Sequence, residues 1–203
     1  GQNASCNSLA ITGAVQFFAG NWKFQVSGYM GGTTAMPAKY ADTLGLQKGV
    51  FGAPLYVAEA NIQYAHNGIS FKALGCNVSI PQAASINNAF GSNTPEQMYG
   101  AYRELGYNLL QSMKSQKWKS KQLTVFARYE VLDLNVKTPA NVKYDGTLYQ
   151  NHLIAGLGYF PVPNVAIKAD VHLLHTGAQN ILLSADPYKQ NNAFLNLAIG
   201  YSF

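Results

Sequence analysis

Ionisable side chains recur at every second position in several segments of this sequence, which is the spacing of side chains on one face of a β-strand. Arg128 and Glu130 stand two residues apart, and so do Lys168, Asp170 and His172. Charges of both signs in this pattern can line a water-filled passage and bias which ions enter it. Pairing across neighbouring strands, as ordinary wall ion pairs, is the more common use of such residues.

No catalytic constellation accompanies these charges. The histidines His66, His152, His172 and His175 are dispersed, and the last two are three residues apart, so they would point to opposite faces of a strand. No glycine-rich phosphate loop, Cys-x-x-Cys pair or helical metal motif occurs. No serine or acid has the context of an activated nucleophile. The sequence therefore predicts that the chain is not an enzyme, and it predicts no metal site and no cofactor.

The composition is unusual for a water-exposed surface. Only 11% of the 203 residues are Asp, Glu, Lys or Arg, against roughly 25% in ordinary soluble domains. Tyrosine, phenylalanine and glycine are abundant, with 13, 10 and 19 copies. No apolar run reaches the length of about 18 residues that indicates a membrane helix. Few charges, many aromatics and no membrane helix favour an all-β transmembrane barrel, formed by residues 1–203 as a single segment.

Alternation of apolar and polar residues supports this class throughout the chain. It is cleanest in the last segment, where Leu197, Ile199, Tyr201 and Phe203 share one face. It slips near Gly75, where we expect a bulge. The pattern predicts about nine antiparallel strands near residues 8–19, 21–31, 51–65, 68–79, 97–111, 122–134, 149–160, 164–175 and 193–203.

The connections between these segments alternate between short and long. Outer-membrane barrels have this arrangement, with tight periplasmic turns and longer outside loops. The odd strand number would place the two chain ends on opposite sides of the membrane, whereas closed single-chain bacterial barrels have even numbers. Unless the count is wrong by one, we therefore expect the chain to be the C-terminal portion of a barrel of roughly sixteen strands. The N-terminal portion would then be a separate chain.

Two sets of side chains follow from the alternation. The candidate pore-lining set is Lys23, Glu59, Lys72, Glu104, Arg128, Glu130, Lys168, Asp170 and His172. The aromatic set expected to form girdles at the membrane interfaces is Trp22, Tyr29, Tyr56, Tyr64, Tyr107, Tyr129, Tyr159, Tyr201 and Phe203. Because the first set carries both signs of charge, it does not predict strong anion selectivity.

The net charge of +5 does not indicate a nucleic-acid binder. The one dense basic cluster consists of Lys114, Lys117, Lys119 and Lys121, between two alternating segments, and is interpreted as a solvated turn. Cys6 and Cys76 are too few for a disulfide framework. One bridge or two unpaired thiols remain equally compatible with the sequence.

Several segments resemble known outer-membrane porins. The terminal AFLNLAIGYSF, residues 193–203, resembles the C-terminal signal that barrel-assembly machinery reads, carried by Leu197, Ile199, Tyr201 and Phe203. YGAYRELGYNLL at 99–110, LTVFARYEVLDLN at 123–135 and LGYFPVPNVAIKAD at 157–170 are similar to the C-terminal half of the phosphate-selective porin O and P family. The resemblance implies a trimeric water-filled channel, selective in some members for phosphate or other anions. It does not map anion-site residues onto this chain.

The expected function is therefore passive diffusion of small hydrophilic solutes or ions across a bacterial outer membrane. The expected partners are outer-membrane lipid, lipopolysaccharide and the rest of the barrel, with a homotrimer implied by the family. The first alternative is a structural or assembly barrel with a blocked lumen, which binds a partner through its long outside loops. The second alternative is an outer-membrane hydrolase.

Overall fold

A computed structural model of the chain describes residues 9–32, 46, 52–113, 118, 120–180, 182 and 188–202. Nine strands account for most of these residues, which confirms the predicted all-β class and the positions of all nine segments. The strands are β1 (Ile11–Ala19), β2 (Trp22–Gly32), β3 (Pro54–His66), β4 (Ile69–Ser79), β5 (Gln97–Asn108), β6 (Gln122–Lys137), β7 (Tyr149–Val162), β8 (Val165–Thr176) and β9 (Asn191–Tyr201).

The strands form one antiparallel sheet in which each strand pairs with its neighbours in sequence. The order runs from β1 to β9 without a crossover, and the sheet is not closed. Within the described residues, β1 pairs only with β2, and β9 pairs only with β8. Both outer strands therefore present an edge of backbone N–H and C=O groups.

Short and long connections lie on opposite edges of the sheet, as the sequence predicts. The short-turn edge carries the turn at Gly20 and Asn21, the Asn67–Gly68 turn and the turn after Val162. Among its described residues, the long-loop edge carries an α-helix, α1 (Ala83–Phe90), and a short 3-10 helix (Gly146–Leu148). Helix α1 ends at Gly91 in the left-handed conformation that glycine favours. None of the helices in the described residues is long and apolar enough to cross a membrane.

The two faces of the sheet differ sharply in composition. Except for the pair of Val162 with Val165 at the end of β7, direct register partners keep the same parity from β1 to β9. The alternation of the individual strands therefore adds up to two continuous faces. We call the face that contains Arg128 the polar face, and the face that contains Leu153 the apolar face. Large exposed side chains of the apolar face include Phe17, Val26, Leu105, Leu153, Leu157, Val171, Leu173, Leu195, Leu197 and Ile199.

Aromatic residues mark both ends of the apolar face. Near the short turns, the Trp22 ring lies 4.6 Å from that of Tyr64, and the Phe71 ring lies 6.4 Å from that of Trp22. Residues of the apolar parity at this end also include Tyr107, Tyr159 and Tyr201, and those at the long-loop end include Tyr56, Tyr99 and Tyr149. Tyr29 does not belong to this set, because it pairs with Val57 on the polar face.

The strands are staggered, which tilts them relative to the sheet edges. The row of register partners that starts at Trp22, the first residue of β2, reaches Leu195 in β9, six residues before Tyr201 at the end of that strand. Six residues span about 20 Å along a strand, and seven strand spacings span about 34 Å. The strands therefore lean by about 30° from the normal to the sheet edge.

The main buried cluster of the described residues lies at the long-loop edge and not within the sheet. Ala83 and Ile86 of α1 pack with Leu46, Ala53 and Ile80, and this group lies against three residues of the polar parity: Leu55, Val78 and Met98. The Asn141 amide donates to the carbonyl oxygen of Ala84 and to the side chain of Asn88. The long-loop edge thus folds over the end of the polar face as a small packed cap.

Three details differ from the sequence analysis or lie outside the description. The register runs without interruption through Gly75, so the expected bulge there is wrong, and the irregularities lie at Gln97–Tyr99 and Tyr159–Val162. The long connection after β4 contains α1, whereas the sequence predicts a loop there. Residues placed outside the description include Cys6, Lys114, Lys117, Lys119 and Phe203.

The Asn67–Gly68 turn provides a test of the register. Both residues have positive φ, 48° and 80°, and a Cβ at residue 68 would lie 2.7 Å from the Cβ of Gln111. We expect Gly68→Ala to lower the free energy of unfolding by about 1–2 kcal/mol through backbone strain and this clash. Denaturant unfolding measures the effect. Gly75→Ala is the matched control, because no atom lies within 4 Å of its added Cβ; equal losses would contradict the prediction.

Candidate functional site

The nine residues predicted to line a pore all fall on the polar face. Lys23 and Glu59 lie in β2 and β3, and Lys72 and Glu104 are direct partners on β4 and β5. Arg128 pairs directly with Glu104 across β5 and β6. The remaining residues, Glu130, Lys168, Asp170 and His172, continue the same parity on β6 and β8. The structure thus brings the set onto one surface, and pore lining itself remains a prediction.

Arg128 is the centre of the densest charge network. Its Nε donates to Glu104 at 2.8 Å, a second guanidinium nitrogen lies 2.6 Å from the same carboxylate, and Nη1 donates to Glu130 at 3.0 Å. The guanidinium also lies 5.0 Å from the centre of the Tyr102 ring. A planar guanidinium with several fixed donors suits two carboxylates at once. The two acids and the arginine therefore hold one another in fixed positions.

A second group of polar side chains crosses β8 and β9. Asp170 is almost fully buried, accepts a hydrogen bond from the Asn196 amide at 2.9 Å and lies 3.2 Å from the Lys168 amine. Lys168 also lies 4.7 Å from the centre of the Phe126 ring. The close approach of Asp170 depends on Gly156, where a Cβ would lie 2.5 Å from the Asp170 Cβ. The buried carboxylate is thus stabilised by a charge and an amide.

Two histidines meet between these groups. The Nδ1 of His152 lies 2.8 Å from the Nε2 of His172, and the ring centres are 5.0 Å apart. His152 is the direct register partner of Glu130, and the His172 ring lies 5.6 Å from that of Phe194. One imidazole must donate and the other accept. The Nε2 of His152 is buried and has no hydrogen-bond partner in the described part of the chain.

These groups form one polar track from β4 to β9 with charges of both signs. Such a track can hold water and counter-charges. Within the described ranges, no three histidine, cysteine or acidic side chains converge as a metal-binding group. Cys76, on the polar face opposite Glu59, carries a free thiol.

Several members of this track are not predicted by the sequence alone. His152 was treated as dispersed, although it shares the parity of Ile154 and alternates with Leu153. Its contact with His172 is diagonal across β7 and β8 and follows only from the register, which pairs Ile154 with His172. Asn196 and Tyr102 were also not predicted as members of the track. A single neutral amide or tyrosine in a strand does not indicate that it contacts a charged side chain.

Comparisons with known proteins give few matches. No family model matches the chain, so the resemblance to the porin O and P family remains a prediction. An uncharacterized protein of Aquifex aeolicus (strain VF5) is 24% identical over 180 residues. The match covers 84% of this chain and 38% of that protein, so the chain spans about two-fifths of its relative's length.

Among solved structures, LpxR from Salmonella typhimurium is similar over 97% of this chain and 74% of its own, at 14% identity and a TM-score of 0.39. LpxR is an outer-membrane lipid A deacylase. The sequence-based prediction that the chain is not an enzyme is withdrawn. The activity itself belongs to LpxR, since this degree of likeness does not assign it to the present chain.

Removing the Arg128 guanidinium tests the network. Arg128→Gln leaves the carboxylates of Glu104 and Glu130 facing each other without their common donor, so we expect the free energy of unfolding to fall by about 2 kcal/mol. The matched control is Lys72→Gln on the same face, where a half-exposed amine lies 3.9 Å from Glu104; we expect a loss of less than about 0.5 kcal/mol. Equal losses in denaturant unfolding would refute the central role of Arg128.

Proposed function

We propose that this chain forms part of the wall of a β-barrel in a bacterial outer membrane, with its polar face towards an aqueous lumen. The observation that carries the proposal is the separation of side chains across one continuous register. Large apolar side chains cover one face between two sets of aromatics, with Arg103 over the Tyr129 ring as the charged exception, whereas the charged network lies on the other face. A lipid-facing wall needs such an apolar band and aromatic girdles, and a lumen needs a polar interior.

The height of the apolar band supports a membrane location. In β5, Tyr99 and Tyr107 are eight residues apart, and in β7, Tyr149 and Tyr159 are ten residues apart. These spans are about 27 and 34 Å along the strand. A lean of about 30° reduces them to about 24 and 29 Å, which matches the apolar band of about 25 Å in outer-membrane barrels.

The open edges of the sheet, at β1 and β9, require further strands in a membrane. Unpaired backbone groups cost several kcal/mol each in hydrocarbon, so an open sheet is not stable in a membrane. We therefore propose that additional strands, from the N-terminal portion of the same barrel, pair with β1 and β9. The relative from Aquifex aeolicus, of which the chain covers 38%, is long enough to supply them. A homotrimer remains a prediction from the family resemblance.

Within this barrel, the polar face supports passage of small hydrophilic solutes as the first candidate function. Lys72, Arg128 and Lys168 alternate with Glu104, Glu130 and Asp170 along the track. Mixed charges keep a passage wet without strong preference for one sign. Phosphate selectivity is therefore not proposed.

The histidine pair supports hydrolysis as a second candidate function. His152 and His172 share a hydrogen bond, and His152 is the direct register partner of Glu130. An imidazole held in this way can remove a proton from water as the water attacks an ester carbonyl, and can return it to the leaving alkoxide. A hydrolase built on this barrel would use the same polar face that a solute passage would use.

The membrane location is tested with adjacent positions on opposite faces. Val26→Lys places a charge at the middle of the apolar face, so we expect it to reduce stability in a bilayer by about 2–4 kcal/mol. Ser27→Lys is the matched control: it places the same charge beside Glu59 on the polar face, where Ser27 now donates to that carboxylate at 3.2 Å. We expect Ser27→Lys to reduce stability in the bilayer by less than about 1 kcal/mol. Similar effects of the two changes in unfolding from vesicles would rule out the assigned faces.

The candidate functions are separated by assaying the same bilayer-folded protein for conductance and for turnover of a soluble short-chain ester. We expect discrete current steps, which a wet lumen requires. Ester turnover that falls at least about a hundredfold in His152→Gln, without current steps, would instead establish the hydrolase. If neither signal appears, passage and hydrolysis are both excluded, and the blocked barrel that binds a partner through its outside loops takes their place.

A further inference from the structure

A hollow of about 410 Å³ opens on the apolar face near the long-loop ends of β6–β9. Its apolar wall is one row of register partners, Tyr129, Leu153, Leu173 and Ala193. The small side chain at Ala193 ends this row beside the larger Leu173. The hollow is therefore an apolar depression in the surface that the proposed barrel turns towards lipid.

The next row towards the long loops is polar. It pairs Asn151 with His175, and His175 with Asn191. The Tyr129 hydroxyl donates to the side-chain amide oxygen Oδ1 of Asn151 at 2.8 Å, and the His175 Nδ1 lies 2.8 Å from the side-chain amide oxygen Oδ1 of Asn191. Adjacent rows are about 7 Å apart. Within one row, the surface thus changes from apolar side chains to amide and imidazole groups.

A cation completes the upper side of the hollow. Lys189 lies two residues before β9, is exposed and contributes to the lining together with His175. No acidic residue contributes to the lining of this hollow among the described residues. A ligand that fits has an apolar chain for the lower row and an anionic, hydrogen-bonding head group for the upper one.

We propose that this hollow binds a phosphorylated glycolipid of the outer leaflet, with an acyl chain against Leu153, Leu173 and Ala193 and a phosphate near Lys189 and His175. The assignment to the outer leaflet rests on the proposed barrel, in which the long-loop edge faces outside. Charge complementarity selects the phosphate-bearing lipid, since the polar row and Lys189 offer donors and positive charge. The hollow opens on the apolar face, opposite the candidate solute passage.

The test uses the full-length protein folded in detergent and native mass spectrometry, with bisphosphorylated lipid A as the probe. We expect retained lipid on the wild type and about fivefold weaker retention on Lys189→Gln, the size expected of one exposed charge contact. Lys143→Gln, an exposed lysine of another long loop, is the matched charge control and should retain lipid normally. Ala193→Leu should fill the hollow and also reduce retention, whereas Ala155→Leu, the same change one row below, should not.

Each result decides the proposal. Reduced retention of lipid A by Lys189→Gln and Ala193→Leu, together with full retention by the two control variants, supports the proposal. Weaker retention of dephosphorylated lipid A by the wild type also supports it. Equal retention by all variants, or equal retention of phosphatidylglycerol, overturns it. Failure of the underlying barrel proposal is distinguishable, because the protein would then not enter vesicles in a flotation assay, whatever its lipid retention in detergent.

Discussion

The antiparallel register shared by all nine strands is the constraint on which the structure depends. Because side chains alternate with a period of two, a slip of one residue between any two strands would move every following side chain to the other face. Arg128 would then lose Glu104, and Leu153 would leave the apolar row of Tyr129. The short turns hold this register at one edge. The irregularity at Gln97–Tyr99 keeps the parity of the faces, and the one at Tyr159–Val162 lies at the end of β7 and changes the parity only for the terminal pair of Val162 with Val165.

The sheet has no conventional core of its own. The side chains that a globular protein would bury, such as Phe17, Leu195 and Ile199, are more than half exposed. In water this surface would be a very large apolar patch, which monomeric soluble proteins avoid. The polar face is stabilised by specific pairs instead, chiefly Arg128 with two acids and Asp170 with Asn196 and Lys168. Stability therefore depends on the medium that surrounds the apolar face and on the hydrogen bonds and ion pairs of the polar face.

The sequence predicted the strands well because alternation is a local signal that repeats nine times. The charged face followed from the same signal, and all nine expected residues share it. Contacts between strands were harder to foresee, because the pair of His152 with His172 depends on register and on rotamers. Helix α1 was missed because its eight residues are stabilised by packing against Ile80 and Ala53, which no short-range pattern shows. Tyr29 was misplaced because aromaticity was given more weight than parity.

The stagger of the strands has a consequence for any barrel that contains this sheet. Six residues of offset accumulate over seven strand steps, so each added strand shifts by a little less than one residue. A closed sheet meets its own first strand displaced by a fixed whole number of residues, the shear of the barrel. For roughly sixteen strands at this pitch the shear is about 14. The strands that complete the barrel must therefore lean in the same direction and by a similar angle, and a flat, unstaggered complement would leave the final seam unpaired.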